Sequence, residues 1–249
     1  MDVFFDVLTV SEAAAQLMIN WQPQLMPGEE VDFSRALGRI LAKAVLASED
    51  VPPFDRSTVD GFAVRAADTF GASEGLPAFL DIVDDIRMGQ ATESKLAVGE
   101  TGRIATGGML PLGADAVVMV EHSEAVDERT VAVVKPVAPG ENVIRRGEDI
   151  RQGTQLIPAG HLLRPADIGS LAAVGKTRVL VRQAPKVGII STGDEIVPPA
   201  AVPAPGQIRD INSYSLGAAV QAAGGKPVYL GLARDEFEDV HHKVIDGLA

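Results

Sequence analysis

The chain has 249 residues, with 34 acids against 22 lysines and arginines, a net charge of −12 and no cysteine. That balance excludes a broad basic nucleic-acid surface and attraction to anionic membranes, and the missing thiols exclude disulfides, thiolate zinc sites, iron–sulfur clusters and cysteine nucleophiles. Hydrophobic content of 46% is ordinary for a globular chain of about one to two domains, and no apolar run approaches the ~18–20 residues of a membrane span.

The opening MDVFFDVLTV carries acids and no basic stretch, so no secretory signal is read and the cytoplasm is the default compartment. Thr9-Val10-Ser11-Glu12 fits a capping box with Thr9 as N-cap. The helix continues through Ala13–Ile19, with Ala14, Leu17 and Met18 on one face, and Pro23 and Pro27-Gly28 end it. A short strand over Val31–Phe33, one helical turn over Ser34–Leu37 closed by Gly38, and a strand over Arg39–Leu46 follow.

The run VPPFDRSTVDGFAVRAAD at 51–68 is the most unusual in composition. Pro52-Pro53 bars a helix, and Asp55 and Ser57 offer side chains to a local turn. Asp60-Gly61 reads as a tight turn whose glycine is free to take positive φ, ahead of a strand at Phe62–Val64 and a helical turn at Arg65–Asp68. Asp60 is thus presented from a stiffened loop, which suits an acid held at a site as well as a plain turn between layers. Further β-like runs recur at Phe79–Val83, Gly102–Ala105, Ala116–Val120 and Thr130–Val134, around a polar insert at Met88–Ser94. They predict a small β-rich, barrel-like or sandwich-like domain. Thr106-Gly107-Gly108 follows one strand; its N–H groups and the Thr106 hydroxyl turn inward, or the glycines simply make a hairpin or bulge.

Residues 140–153, GENVIRRGEDIRQG, alternate in charge and read as a solvated or interdomain loop. Pro165 opens a helix to about Val174, with Ile168, Leu171 and Ala172 inward and Gly175 at its end. A strand at Thr177–Val181 and a linker at Arg182–Pro185 lead to Val187–Ile190, an apolar run expected of a strand buried on both faces. It ends in Ser191-Thr192-Gly193-Asp194-Glu195. Asn212 is the expected N-cap of a helix to Ala223 carrying Leu216, Ala219, Val220 and Ala223 at helical spacing. Pro227–Leu230 is the next strand; Asp235–Glu238 reads as a capping box for a last helix with Phe237, Val240, Val244 and Leu248 inward. In such a βαβα unit ligands gather at the carboxyl ends of the strands, where the acids of STGDE and Asp235 fall. No GxGxxG follows the first strand, so nicotinamide chemistry is weakly supported, and the scattered histidines have no transition-metal spacing.

Four ordered blocks carry a family resemblance. PPFD-x-S-x-x-DG-F-A-V-R-A-x-D at 52–68, Arg103–Gly108 with Gly113–Val118, Gly140–Gly153, and Ser191–Glu195 followed by Gly206–Asn212 resemble the molybdopterin molybdenumtransferases, bacterial relatives of the gephyrin E domain. Val59 stands where that family often has methionine, and Phe62 where tyrosine is common. The resemblance implies a multidomain α+β fold: an elongated discontinuous domain (1–49 and 139–182), a β-rich inserted domain (50–138) and the first βαβα part of a parallel molybdopterin-binding α/β domain (183–249). It implies insertion of molybdenum from molybdate into adenylated molybdopterin, with release of AMP and with Mg2+ assisting. Carried over by position, Asp60, Thr106, Glu195 and Asp235 are the catalytic candidates, with Glu195 and Asp235 also as Mg2+ ligands. Ser191, Thr192, Gly193, Asp194, Asp210 and Asn212 are candidate cofactor contacts, although Asp235 and Asn212 also suit helix caps and Asp210 a turn. A homodimer is implied, with Asp60 and Thr106 facing Glu195 and Asp235 of the other copy. Other molybdenum cofactor synthesis proteins are further possible partners; nucleic acid and membrane are not. The family's third strand, glycine-rich phosphate loop and C-terminal β domain are missing, so the chain reads as truncated and, alone, inactive. The alternative is a non-catalytic molybdopterin-binding or scaffold module of the same family.

Overall fold

A computed structural model describes residues 8–21 and 23–248, so the opening MDVFFDV and Ala249 lie outside the described residues. The chain divides into two compact units: residues 1–43, 159–164 and 178–249, and residues 44–158 and 165–177. In chain order the first half holds α1 (Val10–Asn20), β1 (Gly28–Asp32), β2 (Val45–Leu46), β3 (Arg56–Ser57), β4 (Gly61–Val64), β5 (Ala78–Ile86), β6 (Glu100–Ile104), β7 (Ala116–Met119) and β8 (Ser123–Ala125). Then come β9 (Thr130–Val133), β10 (Val143–Ile144), β11 (Gln155–Ile157), α2 (Pro165–Ala173), β12 (Arg178–Arg182), β13 (Lys186–Thr192), β14 (Ile196–Val197), β15 (Ile208–Arg209), α3 (Asn212–Ala222), β16 (Lys226–Ala233) and α4 (Phe237–Leu248).

The second unit is built on a six-stranded sheet of order β7-β4-β6-β5-β9-β8, antiparallel except between β5 and β6. Its core is β-branched, as a pleated buried face favours: Val64, Val118, Val131 and Val133 pack with Phe62 and Leu80 in one cluster, and Ala63, Ile86, Ile104 and Val117 in another. Gly61 opens β4 for a reason other than the expected turn. It is not among the positive-φ glycines; instead a Cβ there would lie 1.9 Å from the Val118 carbonyl oxygen. Close approach of β7, not backbone handedness, requires the glycine. The 140–153 segment also departs from a free loop: β10 pairs with β3, Arg145 pairs with Asp55 at 3.0 Å, and Arg146 with Asp50 at 2.7 Å. On α2 the buried positions are Asp167 and Leu171, with Val174 just beyond, whereas Ala172 faces solvent.

In the first unit the Thr9–Glu12 capping box forms as the spacing predicts, and α1 runs to Asn20 with no buried residue. The expected strand over Arg39–Leu46 is absent apart from β2 at its end: Ile40 and Leu41 make only isolated bridges, to Leu162 and Val181. The pair β1–β12 is antiparallel, and β13–β16 and β14–β15 are parallel. Because β13 has one strand neighbour among the described residues, it is not buried on both faces; Ile189 is buried, while Val187 is 38% exposed. Helix α3 turns Ser213 and Gly217 inward rather than Leu216 and Ala219. The reason is Tyr229 of β16, whose hydroxyl would sit 2.1 Å from a Cβ at Gly217, so the helix face there must be small. Helix α4 contacts β16 and β13, but Phe237 and Leu248 stay 79% and 80% exposed, since two strands give a helix little surface to cover.

Candidate functional site

Asp60 sits between β3 and β4, and its own carbonyl accepts from the Val120 N–H at 3.0 Å. Its Oδ1 accepts from the Thr106 backbone N–H at 2.7 Å and from the Thr106 hydroxyl at 3.0 Å. The backbone N–H first, and the hydroxyl second, hold the exposed Asp60 carboxyl below the usual carboxylate range. Two residues far apart in sequence are thus brought into one acid–hydroxyl pair. The loop that carries Thr106 is closed on itself, contrary to an open nest of N–H groups. Gly107 donates to the Ser57 carbonyl at 2.8 Å and Gly108 to that of Ala105 at 2.9 Å, while Thr106 serves Asp60. Gly107 has φ +82, and a Cβ on Gly108 would meet Ile104 Cγ1 at 2.7 Å, so both glycines are fixed by the tightness of this loop.

The other candidates lie at the carboxyl ends of β13 and β16. Gly193 donates to the Ala233 carbonyl at 3.2 Å and its own carbonyl accepts from Ile196, which turns the chain sharply after Thr192. With φ +145, a Cβ on Gly193 would lie 2.9 Å from Glu195 Oε2, so the Glu195 carboxylate folds back over this glycine. Asp194 Oδ1 accepts from the Asp235 backbone N–H at 3.4 Å, linking the two strand ends. Asp194, Glu195 and Asp235 are all exposed. No group of three or more His, Cys, Asp or Glu among the described residues converges as a metal-ligand set.

Behind this edge lies a buried polar knot. Asp210 Oδ1 accepts from the Ser191 hydroxyl at 2.9 Å and the Ser213 N–H at 3.0 Å, and the Ser213 hydroxyl donates to Ser191 Oγ at 3.1 Å. Burial pushes Asp210 toward its neutral form, but hydrogen bonds from Ser213, Ser191 and the Asn212 backbone together outweigh it and leave the pKa lowered. Asn212 is therefore not the N-cap. It is the first residue of α3; Ile211 precedes it without a side-chain cap, and the carboxylate serving the helix N-terminus is Asp210. The expected Asp235–Glu238 box is likewise not formed among the described bonds: Asp239, in the first turn of α4, accepts instead from the Arg234 N–H of the preceding loop at 2.8 Å. Ser191 and Asp210 face inward, whereas Thr192 and Asn212 are exposed. Sequence reasoning missed Ser213; the cap-to-third-residue spacing from Asp210 was the available signal.

The chain matches the family described as the MoeA N-terminal region (domain I and II) over residues 8–175, and that described as a probable molybdopterin binding domain over residues 188–249. It is 38% identical over 213 residues to a molybdopterin molybdenumtransferase of Bacillus subtilis, covering 84% of this chain and 50% of that one. It is 39% identical to molybdopterin molybdenumtransferase 2 of Mycobacterium tuberculosis, covering 89% of this chain and 53% of that one. A crystal structure of a molybdopterin biosynthesis MoeA protein from Pyrococcus horikoshii superposes with a TM-score of 0.87 at 33% identity, over 95% of this chain and 63% of that one. The chain spans about half the length of the curated relatives it matches.

Proposed function

We propose, since this chain belongs to the MoeA-type molybdopterin molybdenumtransferase family, that it acts in molybdenum cofactor biosynthesis by joining molybdate to adenylated molybdopterin with release of AMP. The observation that carries the reading is the Asp60–Thr106 pair. A family signature places an acid, and a distant family block supplies the backbone N–H and hydroxyl that keep it ionised. An ionised carboxylate fits a base or an orienting group for water or molybdate oxygen better than it fits an acid. The strand-end acids support a second role. Mg2+ takes oxygen ligands and is commonly held by one or two carboxylates together with substrate phosphates. Glu195 and Asp235, exposed at one strand edge, suit that use. A bound Mg2+ would offset the negative charge of the phosphoanhydride, which a chain of net charge −12 otherwise repels. Asp194 holds the Asp235 backbone, and the Ser191–Asp210–Ser213 knot positions the start of α3 beside the same edge.

In the same reading two copies assemble, so that Asp60 and Thr106 of one act with Glu195 and Asp235 of the other. The wholly exposed α1, with Leu17 63% and Ile19 78% accessible, supports an assembly that covers it. The test is AMP release from adenylated molybdopterin with molybdate and Mg2+ by a protein of the relatives' full length that carries this chain, because these 249 residues alone are expected to be inactive. Asp60→Asn and Glu195→Gln each slow release by about 10²-fold or more, the usual scale for losing a proton-transfer or charge-stabilising group. Unchanged rates in both variants would sink the reading.

A further inference from the structure

The first unit holds a cavity of about 570 Å3, walled by Leu25, Met26, Ile40, Leu162 and Pro185, with Arg39 and Arg182 also in its lining. That is a size common among small-molecule sites. Leu25, Ile40 and Leu162 are exposed, so the wall is apolar and yet reachable from solvent. The Pro185 carbonyl accepts from the Lys226 N–H at 2.8 Å where β13 and β16 begin. The cavity therefore lies at the amino ends of these parallel strands, whereas Glu195 and Asp235 follow their carboxyl ends. Its two arginines differ. Arg39 is committed, donating to the Glu29 carboxylate and to the Arg182 carbonyl. Arg182 donates from Nη1 to the Met26 carbonyl at 2.9 Å, and no carboxylate pairs with it among the described residues. That bond ties its guanidinium to the cavity wall and leaves its charge unmatched. The bond from Arg39 first, and then the charges of Arg39, Lys226 and Arg35, hold the Glu29 carboxyl below the usual carboxylate range. Glu29 thus faces more than one cation and does not neutralise this corner.

We propose that this cavity binds a small molecule with an apolar body and one carboxylate, the carboxylate resting on Arg182. The apolar body takes the wall of Leu25, Met26, Ile40 and Leu162 out of water, which is the favourable term. The guanidinium fork of Arg182 presents parallel N–H donors that match the two oxygens of a carboxylate. With Arg39 already held by Glu29, one free guanidinium matches a single negative charge better than a phosphate dianion. In a chain of net charge −12 an anion is drawn only to such a locally basic corner. The site lies at the other end of the strands from the proposed chemistry, so it does not depend on the functional reading above.

The test titrates octanoate and octanol, each below its aggregation limit, into the 249-residue protein while the methyl resonances of Met26, Ile40 and Leu162 are followed by NMR. Octanoate shifts these methyls and saturates. Octanol binds about tenfold or more weakly, because it loses the charge-assisted bond. Arg182→Gln brings octanoate down to the level of octanol and leaves octanol nearly unchanged. Leu162→Trp fills the cavity from its exposed wall and abolishes binding of both. Arg178→Gln, on the same strand but paired with Glu30 and outside the cavity wall, leaves binding unchanged. Shifts that fail to saturate or that spread evenly over the methyls of the protein overturn the proposal. So does octanol binding as tightly as octanoate, or octanoate affinity that persists in a folded Arg182→Gln protein. Should that variant not fold, the comparison of octanoate with octanol on the unaltered protein still decides. Loss of octanoate binding in a protein of the relatives' full length that carries this chain also overturns the proposal, because the rest of that protein then fills the cavity.

Discussion

The β-rich sheet around Asp60 and the β13–β16 edge around Glu195 both present acids, but they hold them differently. Asp60 is fixed by two bonds from Thr106, on a sheet whose Val64, Val117, Val118, Val131 and Val133 are wholly sealed. Asp194, Glu195 and Asp235 follow the ends of two parallel strands beside a helix with no buried residue, and the side-chain bond among them is a long one, from the Asp235 N–H to Asp194 Oδ1 at 3.4 Å. The first acid is pre-positioned by its own fold. The second group lacks such an anchor, and its side chains would lose more freedom on meeting any ligand.

The sharpest way to break this contrast is at Gly61. Gly61→Val drives a side chain into the Val118 carbonyl, separates β4 from β7 and destabilises by upward of about 3 kcal/mol. Chemical denaturation measures it, and a mild loss would mean the sheet is looser than described. Next, Leu80→Ala, at 2% exposure in the sheet core, costs about 2–5 kcal/mol. Phe237→Ala, at 79% exposure on α4, changes stability by no more than about 0.5 kcal/mol. Equal costs from the two truncations would erase the contrast.

Asp210→Asn probes the one well-anchored point of the α/β part. The amide keeps one acceptor oxygen for Ser191 and Ser213 but puts a buried NH2 group where the second carboxylate oxygen stood, at a cost of about 1–3 kcal/mol. Hydrogen exchange rising in α3 while the β-rich sheet stays protected reads the effect. The smallest change is Thr106→Val. It removes the hydroxyl bond and leaves the N–H bond, so the Asp60 carboxyl titrates nearer its ordinary value, though still below it. The folded pKa of Asp60 is depressed, so its stabilisation is present above the unfolded value of about 3.9 and is lost as pH falls through the folded value. NMR titration of the side-chain carboxyl should show that window narrowing in the variant.

Legibility followed the range of the interaction. The Thr9–Glu12 capping box, the Pro165 start and the Gly175 end of α2 depend on near neighbours, and they form where the residues place them. The runs around Phe79, Gly102, Ala116 and Thr130 are strands because their side chains suit a pleated surface wherever they pair. The reason for Gly61 was hidden, because Val118 reaches it only through sheet pairing. The inward faces of α3 and α4 were misread for a similar reason: helical spacing marks apolar positions, but Tyr229 and a two-strand surface decide which of them are covered. Asp210 rather than Asn212 caps α3 because both suit the role locally, and the buried Ser191 selects between them.

The proposed function is tested most directly by asking whether the pre-positioned acid of one copy works with the strand-end acids of another. Inactive Asp60→Asn and Glu195→Gln proteins would be unfolded together, refolded as a mixture and assayed for AMP release. In a two-fold dimer with shared sites, each mixed pair carries one intact site, so about one quarter of wild-type activity returns. Activity that stays at the level of the separate variants, beside an active wild type, would contradict it.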